Sequence, residues 1–356
     1  MTGIPQTGGP AFPDPWIRLQ RLTREEPARR FLEAAYERAN VPSPKRSAYR
    51  NAESLAALIR QAESVFRPPV PHSPWLEPML AYYGSMSLLK AWILSVHPEY
   101  PESTAVLRHG LSTRKKKKEP FHLFEDEVKV RKEGLVPLLA AMTNATDCIG
   151  ETYKFGELAA SLADMVSIHR AITGKSPLVP LKFAPFPSGS KAEHRTLILL
   201  PEPVLDSLKL TPAALARKVA RITGWELTVA DPPVKDGTVR FVRTLKGDAG
   251  TGNMDGSLSV LRENERGDHY LWIGNDRPVT PVPELLSRFM LLFSLCMLCR
   301  YDPPLWGEIA LGTVREEGVW VRRFLDLTAL RIPRLVLAKL EEAADWREPA
   351  EFPAGD

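Results

Sequence analysis

The chain has 356 residues, 44% hydrophobic and 25% charged, a globular composition long enough for two domains or one large one. Its three cysteines exclude a disulfide framework and fit a reducing, cytoplasmic setting, and no apolar run reaches the roughly 18 residues a membrane span needs. A net charge of +4 permits an anionic partner without requiring one.

Met1 to Pro15 is rich in glycine and proline and lacks the apolar centre of a signal peptide, so it reads as a disordered tail. Trp16 to Asn40 has apolar residues at helical spacing, as does Ala48 to Phe66, where Leu55, Leu58, Ile59, Ala62 and Phe66 share a face. After the break at Pro68 to Pro74, Trp75 to Val96 predicts a strongly apolar helix. It ends at His97-Pro98, because a residue before proline avoids the helical region. Glu99 to Lys118 reads as a loop, Phe121 to Val130 as a strand or hairpin arm, and Leu135 to Met142 and Phe155 to Ile172 as helices.

Lys175 to Lys191 is rich in proline, glycine and serine and reads as a linker. Beyond it the period changes. Arg195 to Leu200, Trp225 to Ala230, Val239 to Leu245, Ser257 to Arg262 and His269 to Ile273 predict short strands between turns. Thr211 to Ile222 predicts a helix, with a capping threonine followed by proline at its first position. Pro283 to Arg300 predicts a buried helix, Pro303 to Leu311 a short one, and Trp320 to Trp346 one or two more.

The expected fold is α+β, mainly α. A tail over 1–15 precedes a helical domain over 16–174 that carries a basic loop. A linker over 175–192 leads to a small β-rich insertion over 193–280, and C-terminal helices over 281–347 pack back on the helical core.

The chemistry gathers between Tyr82 and Lys132. Nine lysines and arginines stand against four acids from Arg108 to Lys132, a local excess larger than the net charge of the whole chain. Arg108, Arg114, Lys115, Lys116, Lys117 and Lys118 can hold phosphate through charge-assisted hydrogen bonds; the alternative is a solvated lysine-rich loop. His109 is the leading candidate for acid, base or ligand, with Arg108 beside it and Gly110 allowing a tight turn; the alternative is a histidine that satisfies the turn. Tyr83, Lys90, Arg300, Tyr301 and Trp306 are expected to form either a pocket wall or a structural lock.

Cys296 and Cys299 have CxxC spacing, but they stand in an apolar helix with no second pair, so they read as core. Gly250 to Gly256 has its third glycine out of place for a dinucleotide loop and reads as a hairpin or disordered tip. No metal site and no cofactor are expected.

The stretch Pro78-Met-Leu-Ala-Tyr82-Tyr83-Gly84-Ser-Met-Ser-Leu88-Leu-Lys90-Ala91 resembles the YaaC-like proteins of bacteria. So do His109-Gly-Leu-Ser-Thr-Arg114-Lys-Lys, Asp126-Glu-Val-Lys-Val130 with Gly134-Leu135, and Leu291 to Trp306 with its Arg300-Tyr301 and Trp306. These blocks bracket the chain from about Trp16 to Trp306, and the lysine run belongs to the pattern.

A second similarity is to HEPN domains, and it implies a HEPN-like helical core. Many HEPN proteins are ribonucleases with an arginine separated from a histidine by four to six residues. Here Glu102, Ser103 and Thr104 fill those positions, so the similarity implies fold rather than activity. The expected partner is therefore RNA, a nucleotide or an acidic protein surface, with no membrane. The alternatives are a metal-independent ribonuclease or phosphoryl-transfer enzyme, and an interaction scaffold that regulates a neighbouring enzyme.

Overall fold

The computed structural model describes residues 13–114, 120–186, 195–244, 260–274, 281–312 and 315–346. Contacts divide the chain into two units: Gly156–Ser287, and Pro13–Phe155 together with the chain from Arg288 onward.

The first part of the helical unit contains α1 (Pro15–Leu19), α2 (Glu25–Arg38), α3 (Pro44–Phe66) and α4 (Glu77–Val96). The predicted helix over 16–40 is thus two helices joined by a 3-10 turn, with Arg24 extended. Pro27 explains the break. Its ring would clash with the carbonyl four residues earlier, so proline is accommodated without that cost only within a helix's first turn. Helix α3 packs on both α2 and α4, and its small residues Ala48, Ala52 and Ala56 are fully buried. A Cβ on Gly84 of α4 would lie 2.8 Å from a Val65 methyl. Tyr36 of α2 ties the three helices together, donating to Leu94 O at 2.8 Å and accepting from Asn51 Nδ2 at 3.0 Å.

Then come β1 (Leu111–Arg114), β2 (Glu127–Val130), α5 (Leu135–Met142) and β3 (Thr152–Lys154). The three strands form an antiparallel sheet in the order β1-β2-β3. Val128 and Val130 are its buried residues on β2.

The other unit opens with α6 (Phe155–Ala159) and α7 (Val166–Thr173), where one helix was expected. Arg262 Nε donates to Ser161 O at 3.2 Å, which removes that carbonyl from helical pairing between the two. The unit continues with β4 (Leu178–Pro185), β5 (Arg195–Pro201), α8 (Pro203–Leu208), α9 (Pro212–Thr223), β6 (Glu226–Lys235), β7 (Thr238–Thr244), β8 (Leu261–Glu263) and β9 (His269–Trp272). These six strands form one antiparallel sheet, ordered β6-β7-β5-β4-β9-β8. Leu215 and Val219 of α9 pack with Ile198, Leu200, Val239 and Phe241 from one face of the sheet.

Strand β4 runs through the stretch expected to be a linker. Its prolines are tolerated because each half pairs on one side only: Leu178 to Leu181 with β9, and Lys182 to Pro185 with β5. The glycine tip at 250–256 lies outside the described residues.

The chain returns to the helical unit within α10 (Glu284–Tyr301), followed by α11 (Pro303–Ala310) and α12 (Glu316–Ala344). The last is one continuous helix with Pro333 inside it, and it packs back on α2 and α4. Its Trp320 stacks on Phe324 at 4.9 Å and meets Phe124 and Phe155 edge-on. No helix among the described residues is long and apolar enough to cross a membrane.

Candidate functional site

The turn carrying His109 is built by backbone. Helix α5 begins without a capping side chain, since Gly134 stands at its N-cap. Its free N–H groups are taken by the turn instead: Leu135 N donates to Arg108 O at 2.8 Å and Val136 N to His109 O at 3.3 Å. Gly110 has φ +73° and Gly134 φ +124°, in the region that favours glycine. The two approach so closely that a Cβ on Gly134 would lie 2.5 Å from Gly110 N.

This frame presents the imidazole to α4 and α10. Tyr82 Oη lies 2.7 Å from His109 Nδ1, and the His109 ring packs 5.7 Å from Phe293. Tyr82 stacks on Phe289 with centroids 4.9 Å apart. Burial pushes the Tyr82 hydroxyl far above its usual range, so it keeps its proton. Among the described residues Nδ1 is the one acceptor within its reach, so the hydroxyl donates there and the ring proton stands on Nε2. His109 is half-buried, and among the described residues its Nε2 has no hydrogen-bond partner.

The pKa of His109 is lowered, first by burial and then by the charges of Arg300 and Lys90, so the ring is neutral at pH 7. Burial also lowers the Lys90 pKa. Helices α4 and α10 run antiparallel here: the Cys299 thiol lies at the Met79 backbone, while Tyr82, further along α4, meets the earlier Phe289 and Phe293 of α10. Arg300 and Lys90 therefore stand on opposite sides of His109. Among the described residues neither has a carboxylate partner in hydrogen-bond or ion-pair range. Arg300 bonds Cys296 and lies over the Tyr301 ring at 5.1 Å.

Tyr82, rather than Tyr83, is the histidine's partner. Tyr83 is 37% exposed and leans edge-on against Tyr82 at 5.4 Å. Spacing gave no signal for this choice, since Lys90 lies seven residues from Tyr83 and eight from Tyr82. Trp306 stands apart from this group. It is buried and donates Nε1–H to Pro74 O at 3.1 Å, the geometry of a lock. Arg108 is exposed. Arg114 ends β1 opposite Glu127, while Lys115, Lys116, Lys117 and Lys118 lie outside the described residues.

The cysteine pair is buried in α10, and burial raises the Cys296 thiol to about 12 and the Cys299 thiol in the same direction. No group of three or more His, Cys, Asp or Glu suited to a metal occurs among the described residues.

Fold and site together define a mainly helical α+β protein in which helices from both ends of the chain frame one histidine-bearing turn. A family model described as YaaC-like Protein matches residues 20–340, and the chain belongs to that family. No curated protein and no solved structure matches it.

Proposed function

We propose that the protein binds a phosphate-bearing anion, nucleic acid or nucleotide, along the line Arg300, His109 and Lys90, with Arg108 and the run Arg114 to Lys118 adding charge. The observation that carries this reading is a fixed histidine between two cations, neither with a carboxylate partner among the described residues. Phosphate oxygens along this line would accept from the guanidinium, from His109 Nε2–H and from the ammonium, all charge-assisted or polar donors. Desolvation of Lys90 and His109 strengthens such contacts relative to water.

The test is a titration of labelled RNA and of nucleotides against wild type, Lys90→Ala, Arg300→Ala and a variant with Lys115 to Lys118 changed to alanine. Each loss of a phosphate contact should weaken single-strand binding and lower the log–log salt slope by about 0.7. Equal affinity and equal slope across the set would remove the site from the reading.

A ribonuclease or phosphoryl-transfer reading, HEPN-like in kind, draws on one observation: His109 is neutral and oriented by Tyr82, as a general base must be. Incubation with total RNA beside His109→Ala separates it. Cleavage that survives the substitution, or is absent from both proteins, leaves binding alone. The scaffold reading, with an acidic protein surface as partner, predicts no preference for RNA or nucleotides in the same titrations.

A further inference from the structure

The end of α10 carries an aromatic group that does nothing for the core. Tyr301 is 73% exposed, and the Arg300 guanidinium lies over its ring at 5.1 Å. Tyr83, also exposed, leans edge-on against Tyr82, the partner of His109. Tyr301 thus offers an accessible phenol ring beside Arg300, at one end of the cation line. Lys90 marks the other end, eight residues beyond Tyr82, or about 12 Å of helix rise.

That length exceeds one phosphate group, and an exposed ring beside a phosphate-binding arginine is suited to a flat π-face. Resting on the anion-binding reading above, we infer that the ligand is a single-stranded nucleic-acid segment, with an unpaired base stacked on Tyr301 and its phosphates passing Arg300 and His109 toward Lys90. A duplex keeps its bases stacked inside and offers Tyr301 no face. A bare polyphosphate has no base to offer.

The experiment compares four probes: a single-stranded oligonucleotide, the same strand with abasic sites, its duplex, and inorganic polyphosphate. The proteins are wild type, Tyr301→Ala, Tyr301→Phe and Lys90→Ala. A variant with Arg217, Lys218 and Arg221 of α9 changed to alanine controls for surface charge in the other unit. Wild type should prefer the intact strand over the abasic one by roughly 5- to 150-fold, the range that base stacking supplies. Tyr301→Ala should abolish that preference, Tyr301→Phe should keep it, and the α9 variant should match wild type. Equal binding of intact and abasic strands, a preference for duplex, or an unchanged Tyr301→Ala would overturn the inference. If polyphosphate binds in a Lys90-dependent way without base preference, the inference falls and the anion reading stands. If no probe binds, both fall.

Discussion

Gly134 sits against the backbone of Gly110, and this contact decides where His109 points. A Cβ at position 134 would lie 2.5 Å from Gly110 N, 2.6 Å from Gly110 Cα and 2.9 Å from Arg108 O. None of these atoms is the end of a flexible side chain. Gly134→Ala should therefore cost on the order of 3 kcal/mol, combining backbone strain at positive φ with a clash that only a shifted turn relieves. Chemical denaturation measures it. A loss under about 0.5 kcal/mol would mean that the turn yields easily and does not hold the histidine.

Tyr82→Phe keeps the stack on Phe289 and removes only the hydroxyl that donates to His109. A net hydrogen bond contributes about 1 kcal/mol, and the same loss should free the imidazole to reorient. Its donation favours the neutral ring, so the His109 pKa should rise in the variant. Arg300→Met should raise it too, because the guanidinium charge holds it down. NMR titration of the His109 ring protons reads both shifts. A fall in either variant would contradict the assigned tautomer or the proximity of Arg300.

The uneven legibility of the fold has a physical basis. Helices α4 and α10 are plain in the sequence because their apolar runs have no polar face to blur, and His97-Pro98 marks one end. Strands β1 and β3 are four and three residues long and exist only by pairing with β2, so no local period announces them. Strand β4 hides behind prolines that disrupt a sheet only where both edges are paired. At the site, His109, Lys90 and Arg300 stand out as residue types. The choice between adjacent Tyr82 and Tyr83 does not, because it depends on where Phe289 and Phe293 pack. The role of Gly134 is equally hidden, since its partner Gly110 is far along the chain.

The lowered pKa of His109 makes opposite predictions for stability and for binding. The unfolded chain takes up a proton on this ring near 6.5, while the folded protein resists until a lower pH. Between those two values the unfolded state binds more protons, so stability falls as pH drops below 6.5 and stops falling from this source beneath the folded pKa. His169, also lowered by burial, adds in the same direction. Anion binding should instead tighten over that window, as protonated His109 becomes a third cation beside Arg300 and Lys90. Melting temperatures from pH 8 to 5, with and without oligonucleotide, check both halves. His109→Gln should flatten the binding profile and part of the stability profile; a wild-type melting temperature that does not fall with pH would refute the stability half.

Trp306 allows the lock and the ligand wall to be told apart. Its Nε1–H reaches Pro74 O at 3.1 Å across 232 residues of sequence, and a Cβ on the neighbouring Gly307 would lie 2.7 Å from the Trp75 ring. The α3–α4 connection and α11 are thereby clasped together. Trp306→Phe keeps most of the ring and leaves the Pro74 carbonyl without its donor, a change expected to cost about 1–3 kcal/mol. Oligonucleotide affinity at a temperature where the variant is folded should stay within twofold of wild type, because the indole is buried and its N–H is already used. The reverse pattern, unchanged stability with weakened binding, would move Trp306 from the clasp to the site.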